Sequence, residues 1–222
     1  MRNNTGTFRR TALGVAGLAA SLMAFGTGQA QLGLPGLPPL PPLPPGSGGG
    51  GASTQTVTGE ASALSAAVFG NTTSLASTGT LGSASEPLGA ALGAGSIAGI
   101  VSAEALHAVT MGWPDQVVSE SSLGNLTMTV AGTGISADLV LSQARAVSGS
   151  GAQGLATIEG LSIGGSPISA TGAPNQSISL PGLTVIVNEQ VQSAGGIVVN
   201  ALHVRTLDGL IDVVVGSSRA GI

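Results

Sequence analysis

The chain has 222 residues, with six Arg, no Lys, ten acids, no Cys, 2% aromatic residues and a formal net charge of −4. The missing cysteine excludes a thiol nucleophile, a disulfide framework, a cysteine-type zinc site and a lipidated cysteine anchor. The missing lysine excludes a Schiff base and a Walker-type phosphate loop. In chain order, the first segment is residues 1–30. Arg2, Arg9 and Arg10 form a basic region with no acid before Glu60, followed by an uncharged stretch over residues 11–26. Gly28-Gln29-Ala30 then places small residues at positions −3 and −1 of a cleavage site. This order of basic, apolar and small-residue regions predicts a secretory signal peptide. Sixteen residues rich in Gly and Ala are short for a span of a hydrocarbon core about 30 Å thick. The pair Arg9-Arg10 also loosely resembles a twin-arginine signal, and the general secretory route is the better fit.

Cleavage after Ala30 would remove three arginines and no acid. Arg145, Arg205 and Arg219 would then face ten acids, a net charge of −7. Such a chain has no basic patch for phosphates, which excludes nucleic acid as a partner and disfavours anionic membrane surfaces. No further apolar stretch of about 18 residues is present, so no transmembrane segment is expected in the mature chain.

Residues 31–55 form a predicted disordered linker. Leu32 to Pro45 reads LGLPGLPPLPPLPP, which favours extended polyproline II, and the run Gly48-Gly49-Gly50-Gly51 behind it favours flexible coil.

From Thr56 to Ile222 the texture changes to Val, Ile, Thr, Ser, Ala and Gly, with Phe69 and Trp113 the only aromatics. Runs of β-branched residues between Gly, Pro, Asn and Ser clusters predict strands at 57–69, 97–111, 123–130, 135–147, 155–163, 183–191, 197–206 and 210–215. Residues 88–92 could form one helical turn. Strict alternation over 183–191 places Leu183, Val185, Val187, Glu189 and Val191 on one face, with Thr184, Ile186, Asn188 and Gln190 on the other. Glycines in the loop at 192–196 and at Asp208-Gly209 make the last three strands a meander. Both faces of these strands are largely apolar, so the sheet should be covered on each side or packed at a sandwich core. The expected fold is all-β, an antiparallel β-sandwich of about 8–10 strands. A parallel β-solenoid is the alternative, disfavoured by the lack of a short fixed period.

The only two histidines both occur in Ala-Leu-His, at His107 and His203. As strand residues, His107 should share a face with Ala105 and Val109, and His203 with Ala201 and Arg205. Paired strands could bring the two imidazoles together as metal ligands, with Glu104 or Glu189. Against this, no HxH or HxxxH spacing is present. No GxSxG elbow frames a serine, and no aromatic lining supports a glycosidase carboxylate pair. Asp208 and Asp212 do not match a calcium loop. The sequence therefore assigns no catalytic, cofactor-binding or metal-ligating residue, and the chain reads as a non-enzyme.

The stretches Gly160-Leu161-Ser162-Ile163-Gly164-Gly165-Ser166-Pro167-Ile168, Pro174-Asn175-Gln176 and Ile178-Ser179-Leu180-Pro181-Gly182-Leu183-Thr184-Val185 resemble the choice-of-anchor P family of bacterial surface proteins. So do Asn188-Glu189-Gln190-Val191, Ser193-Ala194-Gly195-Gly196-Ile197, Val199-Asn200-Ala201-Leu202-His203-Val204 and Asp212-Val213-Val214-Val215-Gly216-Ser217-Ser218. The resemblance spans residues 56–222 and is carried mainly by the last sixty. It implies an extracellular domain tethered to the envelope by interchangeable C-terminal anchors, with no site residues to transfer. The sequence ends at Gly221-Ile222 without a sorting signal, so anchoring is expected from the N-terminal side or a partner, or the protein is released. The functional expectation is a secreted or envelope-associated protein with a non-catalytic structural or adhesive role, facing an envelope or extracellular protein or polysaccharide. The alternative is a secreted metal-binding or hydrolytic module using His107 and His203.

Overall fold

A computed structural model describes residues 56–222; the predicted signal segment and the predicted linker lie outside the described residues. In chain order the strands are β1 (Thr58–Val68), β2 (Asn71–Ser77), β3 (Pro87–Ile97), β4 (Val101–Gly112), β5 (Gln116–Val130), β6 (Thr133–Val147) and β7 (Gly151–Glu159). The short β8 (Ser162–Ile163) and β9 (Ser166–Pro167) follow, then β10 (Gln176–Leu180), β11 (Leu183–Ser193), β12 (Gly196–Thr206) and β13 (Ile211–Gly221). One sheet has the order β10-β11-β12-β13-β1-β2. The other has the order β3-β4-β5-β6-β8-β9, with β7 also pairing β6. Every pairing is antiparallel, so the solenoid alternative is excluded and the sandwich holds.

The thirteen strands among the described residues exceed the 8–10 expected because Ser-, Ala- and Gly-rich segments also pair. Asn71–Ser77, Pro87–Ile97 and Gln176–Leu180 carry few β-branched residues, and neighbours rather than propensity hold them extended. Leu88–Leu92 lies inside β3, not in a helical turn. No cap marks a helix there, and the register Leu88↔Thr110 through Leu92↔Leu106 ties the segment to β4. The expected meander is present as β11-β12-β13, and β1 closes back onto β13 with Thr58 opposite Gly221.

The core lies between the sheets. Leu64, Val185, Val199, Leu202, Val204, Val213 and Val215 point in from one side, and Leu106, Val117, Leu123, Leu126 and Val140 from the other. Hydroxyls are buried with them. Ser142 Oγ meets Ser121 Oγ at 2.8 Å and, across the sheets, Ser218 Oγ at 2.6 Å. Ser119 Oγ bonds Thr110 and donates to the Arg219 carbonyl at 2.6 Å. The outer face of the six-stranded sheet is not covered among the described residues. Ile186, Val198 and Val214 stand half-buried there beside polar neighbours, so of the two expected arrangements the packing at a sandwich core is the one observed.

A transverse row of left-handed residues interrupts the pleat. Asn188 (φ 52), Gly216 (φ 64) and Ala76 (φ 48) lie at one level of the six-stranded sheet, and Ala105 (φ 49) and Asn125 (φ 48) interrupt the facing one. At this row two successive residues share a face. Val187 and Asn188, Ala201 and Leu202, Val215 and Gly216, and Ala63 and Leu64 are all buried. In the opposite sheet Glu104 and Ala105 both point out. The alternation expected over 183–191 therefore fails past Val187: Asn188 is inside and Glu189 outside. Ala201 likewise does not share a face with His203, which shares it with Arg205 and, across the reversal, with Asn200.

At Gly216 a side chain has neither a relaxed backbone nor room. A Cβ there would sit 3.2 Å from Ala201 Cβ and 3.3 Å from Val140 Cγ1. Gly216→Ala is expected to destabilise the domain by about 1–3 kcal/mol. The urea midpoint measures this, and an unchanged midpoint would remove the row as a constraint.

Candidate functional site

The outer face of β11, β12 and β13 holds a charged cluster of His203, Glu189 and Asp212. Register and pleat together assemble it. Glu189 lies opposite Asn200, Asn200 opposite Ser217, and Arg205 opposite Asp212. Because the row at Asn188 reverses the pleat, Glu189 emerges beside His203 instead of entering the core. His203 Nδ1 lies 2.8 Å from Glu189 Oε2, and Nε2 lies 3.0 Å from Asp212 Oδ1. Asn200 Nδ2 donates to the same Glu189 oxygen at 2.6 Å, and Ser217 Oγ donates to Asn200 Oδ1 at 2.8 Å. Asn188 is buried by the same reversal; its Nδ2 donates to the Gly172 carbonyl at 2.9 Å, and its Oδ1 accepts from Gln190 Nε2 at 2.9 Å.

The His203 side chain is 12% exposed, while Asp212 is 45% exposed. An imidazolium can donate to both carboxylates, whereas a neutral ring has one N–H and must oppose a lone pair to the other. The hydrogen bond to Glu189 raises the His203 pKa above its ordinary 6.5, against the opposing pull of burial, and both carboxylates add charge attraction. The bond from His203 holds Glu189 below its ordinary 4.5, again against burial, with help from Asn200. Chemically this is a clamp across three strands. Both ring nitrogens are engaged, and no hydroxyl lies on either of them to be activated as a nucleophile.

His107 is elsewhere. It stands exposed on β4 of the other sheet, between Ala91 and Ser122 in register. The echo between the two Ala-Leu-His segments thus reflects two strands of opposite sheets, and the structure does not bring the imidazoles together. Of the two carboxylates considered with them, Glu189 does meet His203, while Glu104 accepts from Asn125 Nδ2 at 2.8 Å. No group of three or more His, Asp or Glu among the described residues is arranged to hold a metal ion. In the clamp, Glu189 and Asp212 sit on different nitrogens of one ring, so the three groups bridge rather than converge. In sequence Asp212 shows only a mismatch to a calcium loop, and Asn200 and Ser217 carry no site signal at all. Their partnership depends on register, which spacing along one strand does not reveal. No family model, curated protein or solved structure matches the chain.

The clamp makes stability depend on pH in a defined direction. His203 is raised in the folded state, so its contribution is complete below 6.5 and lost as pH rises through the higher folded value. Glu189 is lowered, so its contribution is present above 4.5 and lost as pH falls through the lower folded value. The clamp is therefore whole between those two reference values. Urea midpoints should fall from pH about 6 to about 9 in the parent chain, and His203→Gln should flatten that decline. An equal decline in the variant would place the titration elsewhere.

Proposed function

We propose that the chain is an exported bacterial protein whose β-sandwich has a non-catalytic structural or adhesive role at the cell envelope. The observation that carries export is the order Arg2/Arg9/Arg10, apolar residues 11–26, then Gly28-Gln29-Ala30. The Pro/Gly segment after it suits a spacer, and the resemblance to the choice-of-anchor P family points to the same compartment. The non-catalytic reading draws support from the clamp, whose single imidazole is held from both sides by carboxylates. Nothing in the geometry favours the metal-binding or hydrolytic alternative, since His107 and His203 belong to different sheets. The partner class that fits is an envelope or extracellular protein or polysaccharide without a dense anionic surface, because the described domain carries three Arg against ten acids.

Expression of the full chain in a bacterial host tests export directly. The exported product should begin at Gln31 by intact mass and N-terminal sequencing. Recovery solely as uncleaved cytoplasmic protein would overturn the reading. Pull-down from envelope fractions, with a whole-cell soluble fraction as comparison, then tests the adhesive role.

A further inference from the structure

Two neighbouring turns at one end of the six-stranded sheet carry an apolar tip. Phe69-Gly70 is the two-residue turn between β1 and β2, and residues 207–210 connect β12 to β13. Phe69 N–H donates to the Leu210 carbonyl at 2.8 Å, which joins them. Phe69 is 70% exposed, Leu207 71% and Leu210 46%, three of the six large apolar residues exposed in the described domain.

Neither packing nor backbone preference explains Phe69. Both turn residues have positive φ, 49° at Phe69 and 80° at Gly70, the geometry of a type I′ turn. Such turns favour Asn, Asp or Gly at the first position, and a bulky side chain there is an outlier. The comparable turn between β5 and β6 uses Ala131-Gly132 at nearly the same angles. An aromatic ring held in an unfavourable conformation and left in solvent points to contact with something outside the domain.

The second turn is rigid. Asp208 Oδ1 accepts from Thr206 Oγ1 at 2.6 Å and from Leu210 N–H at 3.0 Å, and Thr206 Oγ1 accepts from Ile211 N–H at 3.1 Å. Leu207 N–H donates to the Gly182 carbonyl at 2.9 Å. The two leucines are thus held outward. Thr58 and Gly221 pair at the other end of the strands, so the chain enters the domain away from the tip.

We propose that Phe69, Leu207 and Leu210 insert into the apolar margin of a lipid layer with zwitterionic headgroups. Three side chains are too few for a stable protein interface, which takes about 20–30 residues a side. A second copy would set one acid-rich domain against another. A lipid layer imposes no shape requirement, and binding to it scales with the apolar area inserted. No lysine is present, and Arg205 faces Asp212 across β12 and β13, so attraction to anionic lipid is weak. Headgroup cations instead suit the exposed carboxylate of Asp208.

Co-sedimentation of the full chain with phosphatidylcholine vesicles tests this, read as the difference between parent and variants so that any contribution of residues 11–26 cancels. Phe69→Asn should lower the partition coefficient on the order of tenfold. It should leave the melting temperature unchanged or raised, because Asn-Gly suits the turn. Leu207→Ser with Leu210→Ser should also lower partitioning. Undiminished binding in the variants, or a melting temperature lowered by Phe69→Asn, would overturn the inference. Concentration-dependent self-association that disappears in Phe69→Asn would assign the tip to a second copy and overturn it equally. Each readout is independent of whether the chain is exported.

Discussion

At one level of the sandwich, Asn188, Gly216 and Ala76 take left-handed backbone angles, and every strand they touch changes which face its next side chain presents. Left-handed backbone is unfavourable for an L-residue outside Gly, Asn and Asp, so it persists only where surrounding structure enforces it. Here enforcement is collective. A single strand that reversed its pleat alone would point apolar residues at water, whereas the strands of this sheet reverse together and keep the core continuous. The opposite sheet reverses near Ala105 and Asn125, with paired residues outward rather than inward.

The clamp at His203 is a product of that reversal. Glu189 follows Leu183, Val185 and Val187 in strict alternation, and an unbroken pleat would bury its carboxylate among valines. An uncompensated buried carboxylate is strongly unfavourable. The reversal at Asn188 moves it to the outer face, where His203, Asn200 and Asp212 meet it. The same polar residues that could suggest a reactive centre in sequence thus hold three strands in register, with Arg205 and Asp212 facing each other at the next position.

The legible part of the fold was whatever rests on local chemistry. β-branched runs and glycine turns were enough to place the meander β11-β12-β13 and the sandwich class. Strands such as Pro87–Ile97 were not legible, because Gly and Ala have no preference for extended backbone and only β4 keeps that segment straight. Part of the reversal left a mark: a lone Asn and a lone Gly interrupt apolar strands at 188 and 216, a pattern that signals a bulge or close approach. Ala76 and Ala105 left none, since alanine carries no sign of a left-handed conformation. The clamp was half visible, with Glu189 considered beside His203. Asp212, Asn200 and Ser217 enter through cross-strand register, a property of pairing rather than of any one segment.

The buried hydroxyls of Ser119, Ser121, Ser142, Ser218 and Thr110 have a consequence for how the chain finds its pairing. In a sequence so rich in Ala, Gly and Ser, sliding one strand past another by two residues exchanges one small side chain for another and changes apolar contact little. Hydroxyls are less forgiving. A slip that moved Ser218 from Ser142 would strand a donor in the core, at about 1–3 kcal/mol for each unsatisfied group. The hydroxyls thus act as a key cut into an otherwise repetitive surface, and alignment of the two sheets is read from polar matches that a fully aliphatic core of this composition would lack.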